Sequence, residues 1–221
     1  MREHLRDSDV IVRPMEPGDI AQVVEIDRQS FLTPWPDTTY RRDLRSPLMS
    51  YVVACVPDGC TRAEESPLET GEPRGLQGIV RALRNVIGTP PAMPTDDCIL
   101  GYAGLWFMVD EAHITTIAVR PEWRRHGAGE AMLIALTEKA LSRGERVLTL
   151  ETRVSNEEAQ KLYEKYGFTV TGRRLRYYSD NQEDALIMST DRLVSERFQA
   201  VFRQCKREYA QRWGRLPARV A

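Results

Sequence analysis

Long apolar runs are missing from this chain of 221 residues. No stretch approaches the roughly 18 consecutive apolar residues of a membrane-spanning helix. The opening segment, MREHLRDSDVIV, has no apolar core of the kind a secretory leader carries. A cytoplasmic protein with no membrane partner is the expectation. Cysteine is scarce: Cys55, Cys60, Cys98 and Cys205 sit at spacings that fit neither a zinc site nor a redox pair, so reduced thiols and no bound metal are expected. Net charge is nearly absent, at −1, which argues against direct nucleic-acid binding by the whole chain. There is no internal repeat. What remains, 42% hydrophobic and 29% charged, describes a globular chain long enough for one good-sized domain with some surplus.

The stretch that organises the chain runs from Ile114 to Arg143, ITTIAVRPEWRRHGAGEAMLIALTEKALSR. It reads as a β-branched strand, a short basic turn and an amphipathic helix. The turn is an R-x-x-G-x-G arrangement: Arg124, Arg125, His126, Gly127, Ala128, Gly129. Its glycines let the backbone pass close to a ligand, and the helix after it aims unpaired N–H groups into the turn. A helix N-terminus of this kind favours anions, phosphate above all. The inference is a phosphate-bearing ligand held mostly by backbone.

Elsewhere strands and helices alternate. Residues 10–16 read as a first strand, and Asp19 as the cap of a helix with apolar face Ile20, Val23, Val24 and Ile26. A loop with two prolines carries Phe31 and Trp35, and a short helix runs from Asp37 through Leu44. Strands are expected over 50–56, 98–108, 113–119 and 146–152. Ser155 and Glu158 fit a capping box opening a helix over 156–166. Strands over 168–178 and 184–189 form a hairpin around Ser179-Asp180-Asn181.

Two segments stand apart. Residues 57–98 hold 6 of the 13 prolines and 5 of the 14 glycines, a loop-like composition that reads as an insertion, with one short helical pattern from Leu76 to Ile87. Residues 191–221 form a basic amphipathic helix extension with the stripe Val194, Phe198, Val201, Cys205 and Tyr209. Such a helix more often packs on its own domain than on RNA or a membrane. Strands and helices so mixed give an α/β (α+β sandwich) architecture, with residues 1–190 as its domain.

The strand–RRHGAG–helix unit, the strand LTLET, Asn156, and Leu162-Tyr163 followed by Gly167-Phe168 together resemble the GNAT superfamily of acetyltransferases. More narrowly, Ile117-Ala118-Val119, Glu151 to Asn156 and the run around Tyr177-Tyr178 and Glu183 to Met188 resemble the bacterial ribosomal-protein alanine N-acetyltransferases, which modify the N-terminal alanine of small-subunit protein S18. The resemblance covers roughly 10–56 and 98–190. It implies a mixed, mostly antiparallel central sheet, helices on both faces, and two splayed strands with acetyl-CoA in the wedge between them. The backbone of Ile117, Ala118 and Val119 would meet the acetyl and pantetheine end. The amides from Arg125 through His126, Gly127, Ala128 and Gly129 to Glu130 would cradle the pyrophosphate, and Asn156 would contact CoA or cap its helix.

The chemistry then asks for a base, an acid and oxyanion stabilisation. A free α-amino group titrates near 7.7–8.0 and is mostly charged at neutral pH, so its proton must be taken. Glu151 is the candidate base, set against a plain structural carboxylate paired with Arg153 or Arg173. Tyr163 is the candidate acid for the departing thiolate, set against an ordinary core tyrosine. A backbone amide near Ile117 would stabilise the oxyanion. Arg124 and Arg125 either touch phosphate oxygens or are solvated turn residues, and each is expected to be individually dispensable. His113 and His126 have bland explanations. Phe31, Trp35, Tyr177 and Tyr178 resemble walls of the family's peptide groove, while Pro36 and Arg176 depart from it. The reading is direct acetyl transfer by a monomer or weak dimer to the S18 N-terminal peptide. The alternatives are another protein N-terminus or a small-molecule amine as acceptor, or a non-catalytic acyl-CoA-binding module.

Overall fold

The computed structural model of the protein describes residues 10–57 and 95–214. Most of the inserted segment, including the helical pattern from Leu76 to Ile87 and Cys60, lies outside the described residues. Seven strands form one sheet in the order β1-β2-β3-β4-β5-β7-β6. They are β1 (Ile11–Pro14), β2 (Met49–Val56), β3 (Cys98–Phe107), β4 (Glu111–Val119), β5 (Val147–Arg153), β6 (Phe168–Tyr178) and β7 (Glu183–Thr190). All neighbouring pairs are antiparallel except β4 and β5.

The helices are α1 (Ile20–Ser30), α2 (Asp37–Asp43), α3 (Ala128–Ser142), α4 (Glu157–Lys165) and α5 (Glu196–Trp213). They divide between the two faces, α1 and α5 by apolar stripes and α3 by a surface that is apolar nearly all round. On one face, Ala131, Met132, Leu133, Ala135 and Leu136 of α3 bury against Val52, Ala103, Leu105, Ile114 and Leu150. Phe198, Phe202, Cys205 and Tyr209 of α5 belong to the same buried cluster. On the other face, Ile20, Val23 and Ile26 of α1 and Tyr40 of α2 cover Tyr51, Val53, Ile99 and Tyr102. This second layer shields only the β1–β3 side of the sheet, with Ala118 of β4 at its margin. The expected architecture is therefore present, with helices on both faces.

Three local expectations are corrected. Asp19 does not cap α1 with its side chain. It is fully buried, where both carboxylate oxygens accept from Arg13 at 2.8 and 2.9 Å and one also accepts from the Glu16 N–H at 2.7 Å. A buried carboxylate is tolerable only when so satisfied, and Asp97 joins the same arginine at 2.8 Å. Their two negative charges hold the Arg13 guanidinium well above its usual range. The second correction is that Asn156, not Ser155, caps α4: its side chain accepts from the Ala159 N–H at 3.2 Å. Third, α5 begins at Glu196 behind a Ser195 cap. Val194, placed on the apolar stripe by spacing, is therefore outside the helix and 68% exposed.

Candidate active site

The parallel pair at the centre of the sheet is short. β4 and β5 are in register only from Glu111 opposite Val147 to Ile114 opposite Leu150. Beyond that point β4 continues to Val119 and β5 to Arg153 without pairing. The two strands splay, which leaves the β4 edge from Thr115 to Val119 without a ladder partner on the β5 side. On its other side β4 follows β3 through Gly101 opposite Val119, with a bulge that inserts Thr115 between the partners of Gly104 and Leu105. Gly104 is needed there: a Cβ would stand 2.7 Å from both Thr115 Oγ1 and Tyr51 Cε1. The Thr115 and Thr116 hydroxyls are buried with no hydrogen-bond partner among the described residues. Backbone left unpaired along the β4 edge is what a polar ligand between the strands would answer.

The turn after β4 behaves as its sequence demands. Gly127 caps α3 in the left-handed region, φ 82°. The first bond of the helix runs from the Ala131 N–H to the Gly127 carbonyl, so the N–H groups of Ala128, Gly129 and Glu130 have no helical acceptor. Arg124, Arg125 and His126 are exposed. The Arg124 Nε–H donates to the Val119 carbonyl at 3.3 Å, Arg125 pairs with Glu158 at 2.8 Å, and His126 Nδ1 lies 2.8 Å from the Arg124 carbonyl. Glu130 does not face the turn freely; its carboxylate accepts from Lys165 at 2.6 Å and from the Tyr166 hydroxyl at 2.8 Å. Sequence reading missed Trp213, whose ring lies on the face of Gly127, where a Cβ would stand 2.9 Å from Cε2. Nothing in the residues near Gly127 announces a contact made from the far end of α5.

On the sheet face left bare by α1 and α2 lies a cavity of about 390 Å³. Trp106 and Met108 flank it from β3 and its turn, and Glu111 and His113 come from β4. Thr149 and Glu151 come from β5, Ile187 and Ser189 from β7, and Arg174 and Tyr177 from β6. The period-2 alternation of strands accounts for this set, since residues two apart share a face. The Glu151 carboxylate is enclosed there, its side chain 9% exposed. The carboxylate oxygens pair with Arg174 Nε at 3.0 Å and His113 Nε2 at 2.9 Å. The partners expected from sequence, Arg153 and Arg173, instead hold Asp180 with Glu183, and Asp184, respectively. His113, dismissed as a plain strand residue, is thus in the site; the signal that could have found it is its place opposite Thr149, two residues before Glu151.

Tyr163 is half-buried on α4, its ring against Phe168. Its hydroxyl makes no hydrogen bond among the described residues. Burial, with Tyr178 adding to it, pushes the phenol up to about 12, so it keeps its proton across the neutral range. Tyr178 is likewise raised to about 12 by burial, and its ring lies 3.8 Å beneath the Arg153 guanidinium. Tyr177 reaches the Glu151 cavity; Phe31 and Trp35 do not line it. Trp35 lines a separate hollow of about 300 Å³ with Val24, Arg28, Pro34, Pro36 and Asp37. Its backbone N–H is held by the Asp27 carboxylate at 2.6 Å, whose other oxygen takes the Tyr102 hydroxyl. The aromatic residues are therefore divided between two hollows, Trp106 and Tyr177 on one and Trp35 on the other. Among the described residues no group of His, Cys, Asp and Glu could hold a metal ion, and no helix is long and apolar enough to cross a membrane.

Comparison with known proteins accords with this geometry. A Bacillus subtilis (strain 168) protein is 34% identical over 178 residues, 80% of this chain and 92% of its own length. Its name gives it provisionally as a [ribosomal protein bS18]-alanine N-acetyltransferase. The [ribosomal protein bS18]-alanine N-acetyltransferase of Escherichia coli (strain K12) is 43% identical over 84 residues, 37% of this chain and 57% of that one. The crystal structure of the ribosomal-protein-S18-alanine N-acetyltransferase from Escherichia coli superposes with a TM-score of 0.59 over 84% of this chain and 95% of that one, at 23% identity, a likeness of fold. The Acetyltransferase (GNAT) family description matches residues 20–168, and with a sheet splayed at β4 and β5 and a glycine turn capping α3, this chain belongs to that family of acetyltransferases.

Proposed function

We propose that the protein transfers an acetyl group from acetyl-CoA to the N-terminal alanine of ribosomal protein S18, directly and without a covalent enzyme intermediate. The observation that carries this reading is the meeting of the β4–β5 wedge with the cavity around Glu151. The wedge offers unpaired backbone from Thr115 to Val119, which fits an amide-bearing pantetheine arm. The amides of Ala128 to Glu130 fit the pyrophosphate, and Asn156, exposed at the start of α4, stands where it could meet CoA while capping its helix.

The acceptor amine enters from the cavity. Carboxylates of Glu111 and Glu151 and the aromatic faces of Trp106 and Tyr177 suit a charged amine that is then deprotonated. Glu151 takes the proton, a backbone amide near Ile117 stabilises the oxyanion, and Tyr163, protonated and without a competing partner, donates to the leaving sulfur. Phe31 and Trp35 fit a more distant part of an extended peptide. A second reading keeps the donor and the chemistry but changes the acceptor to another N-terminus or a small amine; the openness of the bare sheet face favours it as the competitor.

Incubation with acetyl-CoA followed by mass spectrometry of an S18 N-terminal peptide and of intact ribosomal proteins separates these readings. Acetylation of the alanine-first peptide alone is expected. Equal reaction of a peptide with an unrelated first residue refutes the narrow substrate, and tight CoA binding with no acetylated amine supports a non-catalytic module. The turn makes a further prediction. Because Arg125 is 80% exposed and pairs with an equally exposed Glu158, Arg125→Ala is expected to change the KM for acetyl-CoA by no more than about fivefold, the scale of an exposed ion pair. Steady-state kinetics at fixed acceptor concentration checks it.

A further inference from the structure

Glu151 is one end of a line of four side chains. Its Oε2 is 2.9 Å from His113 Nε2. His113 Nδ1 is 2.9 Å from Thr149 Oγ1. The Thr149 hydroxyl donates to Glu111 Oε1 at 2.5 Å. All four line the same cavity, and β4 and β5 are in register there, His113 opposite Thr149.

The ends of this line fix its polarity. A carboxylate only accepts, so the single Thr149 proton goes to Glu111. Thr149 Oγ1 then offers His113 only lone pairs, and Nδ1 must carry the proton of that contact. In a neutral ring protonated at Nδ1, Nε2 is an acceptor. It faces another acceptor, Glu151 Oε2, at a hydrogen-bonding distance. Two lone pairs that close leave between them a place for one proton, which the pair can take up. Arg174, from β6, donates to the other oxygen of Glu151 and does not serve this contact. Tyr177, also from β6, and Ser189, from β7, are the remaining polar groups on that side of the cavity.

Resting on the acetyl-transfer reading above, we propose that Thr149 and Glu111 are positioning residues that hold His113 in its Nδ1–H form, so that the Glu151–His113 pair, rather than Glu151 alone, receives the proton of the acceptor amine. An ammonium group loses two protons on becoming an amide. One passes to the pair, lies between Oε2 and Nε2, and leaves to water. The other ends on the CoA sulfur, by way of Tyr163, as the N–C bond forms and the C–S bond breaks with its electron pair on sulfur. With the opposite tautomer, Nε2–H would already fill the contact with Glu151, and a further proton would have no place on the line to the amine.

The tautomer can be read directly. The chain has three histidines, so 15N NMR of the imidazole rings is assignable with His4→Gln and His126→Gln variants. In the wild-type protein His113 is expected to carry a proton on Nδ1. Thr149→Val keeps the shape of the side chain and removes the acceptor; the ring is expected to switch to the neutral Nε2–H form. With acetyl-CoA and the S18 peptide, kcat is expected to fall about 10- to 100-fold, the scale of losing a group that orients a histidine ring. Thr149→Ser, which keeps the hydroxyl, is expected to keep the Nδ1–H form. A wild-type ring in the neutral Nε2–H form overturns the proposal. So does a Thr149→Val ring that stays Nδ1–H, or a reversed tautomer with unchanged kcat. The NMR experiment needs neither acceptor nor acetyl-CoA, so a failed acceptor assignment and a failed tautomer assignment show up in different measurements.

Discussion

Glu151→Gln is expected to lower kcat by roughly 10²- to 10⁴-fold, the range that a positioned proton acceptor contributes, while leaving the KM for acetyl-CoA close to its wild-type value. The amide keeps the size of the side chain but cannot take a proton. It also removes the charge that Arg174 and His113 share, so Arg174 loses its ionic partner at 3.0 Å. That loss falls on the cavity side of β5. The ion-pair partners of Glu151 are Arg174 and His113, neither of them in the turn at Gly127, which is why donor binding is expected to survive. Steady-state kinetics with the S18 peptide, beside a thermal melt to show that the variant is folded, checks both halves. Full turnover by Glu151→Gln would remove the base from Glu151, and a parallel rise in the KM for acetyl-CoA would show that the two halves of the site are not separate.

The second large effect is on stability. Phe202→Ala is expected to cost about 3–5 kcal/mol, the range for truncating a buried phenylalanine with the cavity it leaves. For a chain of this size that corresponds to a fall in Tm on the order of 6–20 °C. Phe202 is 2% exposed. Its ring stacks on Phe198 and meets the edge of Tyr166, and all three lie in the larger of the two buried clusters. An accessory helix resting on the surface would tolerate the change within about 1 kcal/mol. Calorimetry therefore decides whether α5 is part of the fold or an ornament. The helix is also tied at its polar margin, by Lys206 to Glu138 at 2.9 Å and by the Cys205 thiol to the Lys165 carbonyl at 3.2 Å, but these partly exposed contacts are expected to contribute little beside the aromatic core.

Much of this molecule is legible in its residues, and the reasons are local. The β4–turn–α3 unit could be read because β-branched residues, paired glycines and a helical stripe each dictate backbone conformation within a few positions. Glu151 and Tyr163 stood out through a motif. His113, Arg174 and Trp106 did not, because each is brought to the cavity by register between strands, and register depends on partners far away in the chain. Asp19 misled for the same reason. Its place before an apolar stripe is that of a cap, but the fold delivers the Arg13 guanidinium to it, and among the described residues the only backbone amide its side chain takes is that of Glu16, ahead of the helix. Which hollow Phe31 and Trp35 border was not legible, because an aromatic pair in a proline loop does not say what it packs beside; the Trp35 backbone is fixed by the Asp27 carboxylate, eight residues away.

The ring of Trp213 on Gly127 bears on the order in which the protein is made. A ribosome delivers β4, the turn and α3 early and the last turn of α5 much later, and chains begin to fold from the N-terminal side as they emerge. The glycine that caps α3 therefore spends much of synthesis with one face bare, and gains its covering ring only when nearly all the described chain exists. A contact of such long sequence separation is slow to form and is closed after the local ones. The turn proposed to hold the pyrophosphate is thus drafted by its own sequence and finished from the other end of the chain.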